Sequence, residues 1–371
     1  MLKRRCALAA VLVTALAVPA ASVGSTHAGA NTLSIVAWHG LLDGDWVKPF
    51  EKQSGCKVET TYVGSSNQLV AYMREGKYDL GSASADVAGL LIAAKAVAPI
   101  DVRRVPSVKA FLAPFRAPAA TTVGSKSYGV AIHWASNVLL YHAKHVQPAP
   151  TSWSAIYDPR NRGKITVPNN PMQIADAALY LSKRKPSLGI RDPFELTAPQ
   201  LSAVVKLLQA QKPLVSTYWD YPSDEVQQFQ NGKAYLGPGW PWQAATLRAK
   251  KVAVADTAPK EGVTGWFDTW MMGAKTKSAT CVYKWLQYSS RPSVQAEIAI
   301  AYGAAPVARG ACARMDTLEA GSCERLGGNA TQAFLRSIRF WKTPVARCFG
   351  TGGKKCADYA EWQRAWSRII A

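Results

Sequence analysis

Two kinds of hydrophobic pattern alternate over the first part of the chain. Short apolar or β-branched runs at 33–37, 57–62 and 78–80 are typical of strands. Between them, apolar residues recur at helical spacing over 46–55 and 67–75. This order of strands and helices predicts a parallel sheet with right-handed crossovers.

The same alternation returns in the middle of the chain and again after residue 265. The predicted strands there are 164–167, 234–237 and 266–273, and the predicted helices are 173–182, 201–211, 225–231 and 279–289. No internal repeat or low-complexity linker separates the two stretches. We therefore predict an α/β fold of two lobes, between which the chain crosses more than once.

Polar and aromatic residues follow the predicted strands of the first stretch. Ligands on parallel sheets bind in the crevice at the carboxyl ends of the strands. Trp38 and His39 stand at one such end, and Ser84 and Asp86 at another. Asp86 has an alternative role as N-cap of a helix predicted at 87–94, because Asp is favoured there. His39 likewise has an alternative role, as a hydrogen-bonding partner at the end of its strand.

The first thirty residues have the pattern of a cleavable signal peptide. A basic start at 3–5 precedes an apolar run at 7–21, and small residues follow at 26–30. A membrane-spanning helix needs about 20 apolar residues, and this run is shorter. Cys6 precedes the run, whereas a lipoprotein cysteine would follow it. The sequence thus predicts an exported, periplasmic protein that is not a lipoprotein.

Six of the seven cysteines follow this segment. An even number in an exported chain indicates disulfides, and six cysteines allow fifteen pairings. The favoured set, which leaves the other pairings open, is Cys348 with Cys356 around a Gly-rich turn, Cys312 with Cys323, and Cys56 with Cys281. No CxxC or HxxxH pattern accompanies them, so we expect no metal site and expect His142 and His145 to be surface residues.

The net charge is +20 and 48% of the residues are hydrophobic, with 13 Trp. The apolar content predicts a large core. The charge raises the possibility of nucleic-acid contact. However, Lys and Arg are dispersed and no nucleic-acid motif occurs, so we expect solvated basic faces and no nucleic-acid partner.

Several segments, in the same order, resemble the polyamine (spermidine/putrescine)-type family of periplasmic ABC solute-binding proteins. They extend from Trp38 to Pro306 and comprise 38–58, 78–84, 129–141, 237–240, 266–268, 293–296 and 302–306. Four further segments resemble one branch of that family, whose members are described as spermidine/putrescine transport proteins: 82–86, 281–285, 340–344 and 359–366.

The resemblance implies a two-lobed periplasmic-binding-protein fold with a hinge and an inter-lobe cleft. We expect 31–133 plus 248–305 to form lobe 1, 134–247 to form lobe 2, and a disulfide-stapled segment, 306–371, to pack on both. It also implies a monomer without cofactor or catalytic residues, which captures a small organic amine by lobe closure. Its partner would be an ABC permease in the inner membrane.

The family's site residues transfer to this chain only in part. Trp38, Trp240 and Trp266 stand where the family has aromatic walls. Asp268 stands where a carboxylate holds an amine, and Ser84 where a small polar residue contacts the ligand. Such walls suit the methylenes and ammonium groups of a polyamine, and carboxylates compensate its charge.

Other positions depart from the family pattern. Gly40 takes the place of the first-lobe acid, Asn170 and Gln173 replace two second-lobe carboxylates, and Asp86 stands where a Tyr is usual. The predicted ligand-binding set is Trp38, His39, Ser84, Asp86, Asn170, Gln173, Trp240, Trp266 and Asp268, with Asp220 as a further acid. Because this set holds few acids, we expect a putrescine- or spermidine-like amine, with a zwitterion such as γ-aminobutyrate as the alternative.

An enzyme is the rival class of function. Ser84 and His39 could serve as nucleophile and base of a periplasmic hydrolase. The chain has no G-x-S-x-G elbow, HExxH motif or Gly-rich phosphate loop. It also lacks the adjacent tyrosines of a ferric-iron binder. We therefore expect a binding protein without catalytic activity.

Overall fold

The computed structural model describes residues 31–348 and 353–371. The predicted signal peptide at 1–30 lies outside the described residues. The strands are β1 (Thr32–Trp38), β2 (Lys57–Val63), β3 (Leu80–Ser84), β4 (Val97–Ala98), β5 (Thr122–Val123), β6 (Lys126–Ser127), β7 (Val130–Ser136), β8 (Val138–His142), β9 (Ile165–Pro168), β10 (Val215–Trp219), β11 (Leu236–Gly239), β12 (Val254–Thr257), β13 (Thr264–Gly273), β14 (Ala305–Pro306) and β15 (Arg339–Phe340).

The helices follow the apolar periodicity of the sequence. They are α1 (Val47–Ser54), α2 (Ser66–Glu75), α3 (Ala85–Ala93), α4 (Gln173–Arg184), α5 (Ala198–Gln211), α6 (Pro222–Gln230), α7 (Pro241–Ala249), α8 (Ala279–Ser289), α9 (Pro292–Tyr302), α10 (Ala311–Leu318), α11 (Ser322–Arg325), α12 (Gln332–Ser337) and α13 (Tyr359–Ile370). In the part of the chain that the structure describes, no helix combines the length and apolar composition needed to span a membrane.

The first sheet has the order β14-β7-β13-β3-β1-β2, with β4 and β15 also paired to β13. β1 lies parallel to β2 and to β3, which confirms the parallel sheet predicted for the first part of the chain. β13 runs antiparallel between β3 and β7. All of its residues are buried, so a residue on this strand contacts the interior whichever way it points.

The second sheet has the order β10-β9-β11-β8-β12. β9 is parallel to β10 and β11, whereas β8 is antiparallel to β11 and β12. The predicted strands 164–167 and 234–237 correspond to β9 and β11. The two sheets and their helices give the predicted two-lobed α/β fold.

The chain passes between the two sheets at two places, after β7 and after β12. Asn137 separates β7 of the first sheet from β8 of the second, and residues 258–263 lead back from β12 to β13. The lobe bounds predicted at 133/134 and 247/248 fall within β7 and α7 instead. The division of the chain into lobes at stated residues stays a prediction.

The segment after residue 306 contacts both sheets or their helices. β15 pairs with β13 of the first sheet. Immediately after it, the Lys342 ammonium lies 2.5 Å from Glu195 Oε1 and 2.8 Å from Asp192 Oδ2, both of which precede α5. α13 then packs against α5. The end of the described chain therefore joins elements that lie far apart in the sequence.

The favoured disulfide set is the one that the structure forms. Its three bonds join Cys56 to Cys281, Cys312 to Cys323, and Cys348 to Cys356. The first ties the end of α1 to α8 across a sequence separation of 225 residues. Tryptophans are prominent in the expected large core, where the fully buried ones include Trp134, Trp153, Trp270, Trp285 and Trp362.

Candidate functional site

A cleft of about 840 Å³ lies between the two sheets. Its volume falls within the range of small-molecule sites, about 300–1,000 Å³. The structure brings all nine residues of the predicted set to its lining: Trp38, His39, Ser84, Asp86, Asn170, Gln173, Trp240, Trp266 and Asp268. Asp220 lies there as well. Their roles toward a ligand stay predictions.

Asp268 lies at the centre of three paired strands. On β13 it is the register partner of Ser84 on β3 and of His133 on β7. Directly opposite residues on paired strands place their side chains close together. Accordingly, the Ser84 hydroxyl donates to Oδ1 of Asp268, and His133 Nε2 lies 2.7 Å from Oδ2. The Tyr302 hydroxyl, 3.5 Å from Oδ2, adds a third partner to a carboxylate that is 1% exposed.

Asp86 is a second buried carboxylate in the cleft, also 1% exposed. Its partners are two neutral hydroxyls, that of Ser66 at 3.5 Å and that of Tyr359 at 3.4 Å, and its own backbone N–H. Burial and the nearby charge of Asp268 raise the pKa of Asp86 to about 7, although both hydroxyl contacts lower it. Its side chain is thus a carboxylate whose charge the described residues compensate only weakly.

The helix that follows β3 starts earlier than predicted. α3 begins at Ala85 rather than at 87, and Ser84 is its N-cap residue. Asp86 therefore lies in the first helical turn, and the alternative in which Asp86 is the N-cap was wrong. The position still suits an acid, because the positive end of the helix dipole stabilises negative charge.

Indole rings form much of the cleft wall. The rings of Trp240 and Trp266 meet edge to face at 5.2 Å between centroids, and Trp219 meets Trp240 at 5.5 Å. The indole N–H of Trp240 donates to Asn137 Oδ1 at 3.0 Å, which fixes the ring at the crossing between the sheets. His39 also lines the cleft and stacks on Tyr62 at 4.4 Å.

The second-sheet side of the cleft presents two amides, Asn170 and Gln173, and one acid, Asp220. Asn170 Oδ1 accepts a hydrogen bond from the backbone N–H of Met172, which fixes the turn before α4. Gln173 donates its amide to Asp176 Oδ2 at 3.0 Å. Asp220 lies at the cleft as well and accepts from Asn169 at 2.9 Å. The two amides occupy lining positions without supplying charge.

Gly40 stands where the family resemblance predicts an acid, and a side chain at this position would be strained and crowded. Its φ is +90°, a conformation that favours glycine. A Cβ at this position would lie 3.2 Å from Cδ2 of Tyr302. The Tyr302 ring therefore occupies the space next to Gly40, and the same residue reaches Asp268 with its hydroxyl.

Sequence reasoning missed several residues that line the cleft or support it. Tyr302 and Tyr359 lie within segments that resemble the family, but nothing in their spacing assigned them to the site. His133 is hidden in a strand whose residues are all buried. Asp176, on α4, is a buried acceptor for Asn137, Gln173 and Thr264.

The charge of the cleft differs from that of the whole chain. Among the described residues that line it, none is Lys or Arg, whereas Asp86, Asp220 and Asp268 are acidic. The chain as a whole has 44 Lys and Arg against 24 Asp and Glu. Within the described ranges, no group of three or more His, Cys, Asp and Glu could hold a metal ion. The cleft is therefore an acidic, aromatic site in a basic protein.

The geometry also bears on the hydrolase alternative. The Ser84 hydroxyl donates to Asp268, and the His39 ring is stacked on Tyr62. No hydrogen bond joins Ser84 to His39 among the described residues. The contact between nucleophile and base on which such chemistry depends is not formed.

Comparison with known proteins agrees with this architecture. The putrescine-binding periplasmic protein PotF of Escherichia coli (strain K12) is 27% identical over 302 residues, which cover 76% of this chain and 79% of PotF. The substrate-binding protein PotD of a spermidine/putrescine ABC transporter from Streptococcus pneumoniae superposes with a TM-score of 0.70 at 14% identity, covering 92% of this chain and 97% of PotD. The Atu4243-GABA receptor superposes with a TM-score of 0.67 at 18% identity, covering 91% and 95%.

The match to a protein family covers more than half of the chain. The model of the bacterial extracellular solute-binding protein family matches residues 45–320, which include most of both sheets and the cleft between them. The chain belongs to the bacterial extracellular solute-binding protein family.

Proposed function

We propose that this protein captures a small organic amine, putrescine- or spermidine-like, in the periplasm and delivers it to an ABC permease in the inner membrane. The observation that carries the proposal is the acidity of the cleft: three Asp and no Lys or Arg among its described lining residues, in a chain of net charge +20. An amine bound in such a site supplies the positive charge that neutralises the carboxylates of the cleft.

The two buried acids have different roles in this proposal. Asp268 already accepts from Ser84, His133 and Tyr302, so most of its acceptor capacity is filled. Besides its own backbone N–H, Asp86 has two long contacts with hydroxyls. The pairing of an ammonium group with a buried carboxylate should therefore stabilise the complex most at Asp86. A buried carboxylate without a cation costs roughly several kcal/mol.

The aromatic walls serve the carbon chain of the ligand. Trp240 and Trp266 offer apolar surface to methylene groups and a negative ring face to an ammonium. Gln173 and Asn170 add neutral hydrogen-bonding groups from the second sheet. Closure of the two lobes over the ligand would exclude water and bring these walls together, and the closed monomer would then dock on its permease. No catalytic step is part of this function.

A zwitterion such as γ-aminobutyrate is the second candidate. Its ammonium would fit the same acids, and one structural neighbour is named as a GABA receptor. Its carboxylate, however, would find no Lys or Arg among the described residues that line the cleft. The lining therefore favours a ligand with positive charge alone.

Isothermal titration calorimetry of the mature protein with putrescine, spermidine and γ-aminobutyrate tests the proposal. We expect binding of at least one polyamine and weaker binding of γ-aminobutyrate. Asp268→Ala should weaken binding, whereas the exposed Asp45→Ala should not. Preference for γ-aminobutyrate would support the second candidate, and unchanged binding by Asp268→Ala would refute the assignment of that acid to the site.

A further inference from the structure

The C-terminal helix, α13, lies beyond the part of the chain that the family model matches, which ends at residue 320. Asp358 and Glu361 form a capping box that fixes its start. Its buried residues form one face, and the first of them is Tyr359. Tyr359 is 4% exposed and lines the cleft. The helix thus contributes directly to a site that lies mostly in the matched region.

The same helix makes polar contacts on both sides of the cleft. Gln363 donates to Asn67 Oδ1 on α2 at 2.8 Å, on the side of the first sheet. One turn later, Trp366 donates to Asn169 Oδ1 at 2.9 Å, directly after β9 of the second sheet. These two contacts fix the middle of α13 to both sides of the cleft, and Tyr359 at its start contacts Asp86.

The Tyr359 hydroxyl lies 3.4 Å from Oδ2 of Asp86, and the Ser66 hydroxyl lies 3.5 Å from Oδ1. Both distances are at the long end of hydrogen bonding, and both partners are neutral. An ionised carboxylate can accept about four hydrogen bonds. The two hydroxyls and the backbone N–H of Asp86 itself therefore orient the carboxylate and leave an acceptor position for a further donor.

We propose that α13 completes a subsite for one primary ammonium end of the ligand, in which Asp86 binds the ammonium and Tyr359 and Ser66 position the carboxylate. This inference rests on the proposed amine-binding function. It assigns to the C-terminal helix a part in ligand recognition, and it makes Tyr359 a positioning residue because it acts through Asp86.

The Tyr359 hydroxyl should influence the pH dependence of ligand binding, which a merely structural residue would not. The titratable groups that face Asp86 are Asp268 on β13 and Tyr359 on α13, and Ser66 faces it from α2. The Tyr359 hydroxyl lowers the pKa of Asp86 by donating to the charged form. Its removal should raise that pKa further, so that Asp86 becomes ionised, and competent to bind an ammonium, only at higher pH.

The test measures putrescine affinity by calorimetry between pH 5.5 and 8.5. In the wild type, affinity should rise with pH through about 7, where Asp86 loses its proton. Tyr359→Phe keeps the ring and removes the hydroxyl. We expect it to displace this rise to higher pH and to weaken binding at pH 7 by about fivefold, the effect of one weak hydrogen bond. Tyr72→Phe, at a half-buried position on α2 outside the cleft lining, is the matched control.

Two further variants keep the result interpretable. Ser66→Ala should displace the pH profile in the same direction, and it serves in place of Tyr359→Phe if that variant fails to fold. Asp86→Asn should remove the rise with pH altogether. A Tyr359→Phe profile that coincides with that of the wild type would overturn the subsite while leaving the proposed function intact. If the wild-type protein bound no amine at any pH, the proposed function would fail, and the subsite with it.

Discussion

Nε2 of His133 lies 2.7 Å from Oδ2 of Asp268, and the two side chains are 0% and 1% exposed. The pairing follows from sheet register, because the two residues face each other on β7 and β13. His133 also stacks on Tyr302 at 4.1 Å, and the Tyr302 hydroxyl contacts the same carboxylate oxygen. An acid that the sequence suggested as a free ligand contact is thus built into a buried hydrogen-bonded cluster.

Replacement of His133 tests this cluster. His133→Leu removes a buried donor to Asp268 and should lower the free energy of unfolding by about 1–3 kcal/mol, the cost of a buried polar group that loses its partner. His145→Leu, at an exposed position, should change it by less than about 0.5 kcal/mol. Urea unfolding of both variants measures the difference. Equal stability of the two would show that the contact contributes nothing.

Asp86 should reduce the stability of the ligand-free protein at neutral and alkaline pH. Its pKa is raised from 3.8 to about 7 on folding, so the native state holds a proton that the unfolded chain has released. The contribution of Asp86 to the free energy of unfolding therefore falls as pH rises from about 4 to 7. Asp86→Asn should be more stable than the wild type at pH 8, by at most about 4 kcal/mol, and similar to it at pH 4.

Urea unfolding at pH 4 and pH 8 measures this effect. Asp224→Asn, at a less buried position on α6, controls for the general loss of an acid. A stability gain for Asp86→Asn that is the same at both pH values would contradict the linkage. Saturating putrescine should reverse the order at pH 8, because only the wild-type carboxylate binds the ammonium.

Asp176 joins the two crossings between the sheets. Its carboxylate accepts from Asn137, which lies at the first crossing, and from Thr264, which begins β13 after the second. Burial raises its pKa to about 6, although these hydrogen bonds lower it. Asn137 in turn accepts from the Trp240 indole. The two crossings and the cleft wall are therefore linked through one buried acceptor, Asp176.

Asp176→Ala should affect stability and ligand binding together. It leaves buried donors without an acceptor and should lower the free energy of unfolding by about 3 kcal/mol. It should also weaken putrescine binding, because Trp240 loses the support that Asn137 receives. Lys183→Ala, at an exposed position on the same helix, is the control for both measurements. Normal putrescine affinity in a destabilised Asp176→Ala protein would show that Asp176 stabilises the fold without supporting the binding site.

The disulfides should differ in their effect on stability. Cross-linking stabilises chiefly by restricting the unfolded chain, and the effect grows with the loop that is closed. The Cys56–Cys281 bond spans 225 residues in sequence and the Cys348–Cys356 bond spans 8. Replacing each pair with serines should cost about 5 and about 2 kcal/mol respectively, measured by guanidinium unfolding. A larger loss for the shorter loop would contradict this account.

Local pattern was sufficient for most of the fold. The helix predicted at 279–289 has those bounds in the structure, and the strand predicted at 266–273 begins only two residues earlier. The start of α3 was misplaced, because Ser84 rather than Asp86 caps it. That difference depends on backbone geometry at the end of β3, which side-chain preference alone does not determine.

The sequence by itself determined the strand ends that carry Trp38 and Ser84, the aromatic positions Trp240 and Trp266, and the family to which the chain belongs. These follow from periodicity and from motifs, which are local properties. Only the tertiary structure decided what each acid contacts. Tyr359 meets Asp86 across 273 residues of sequence and His133 meets Asp268 across 135. Such contacts depend on strand register and on where the last helix docks, and no local pattern encodes either.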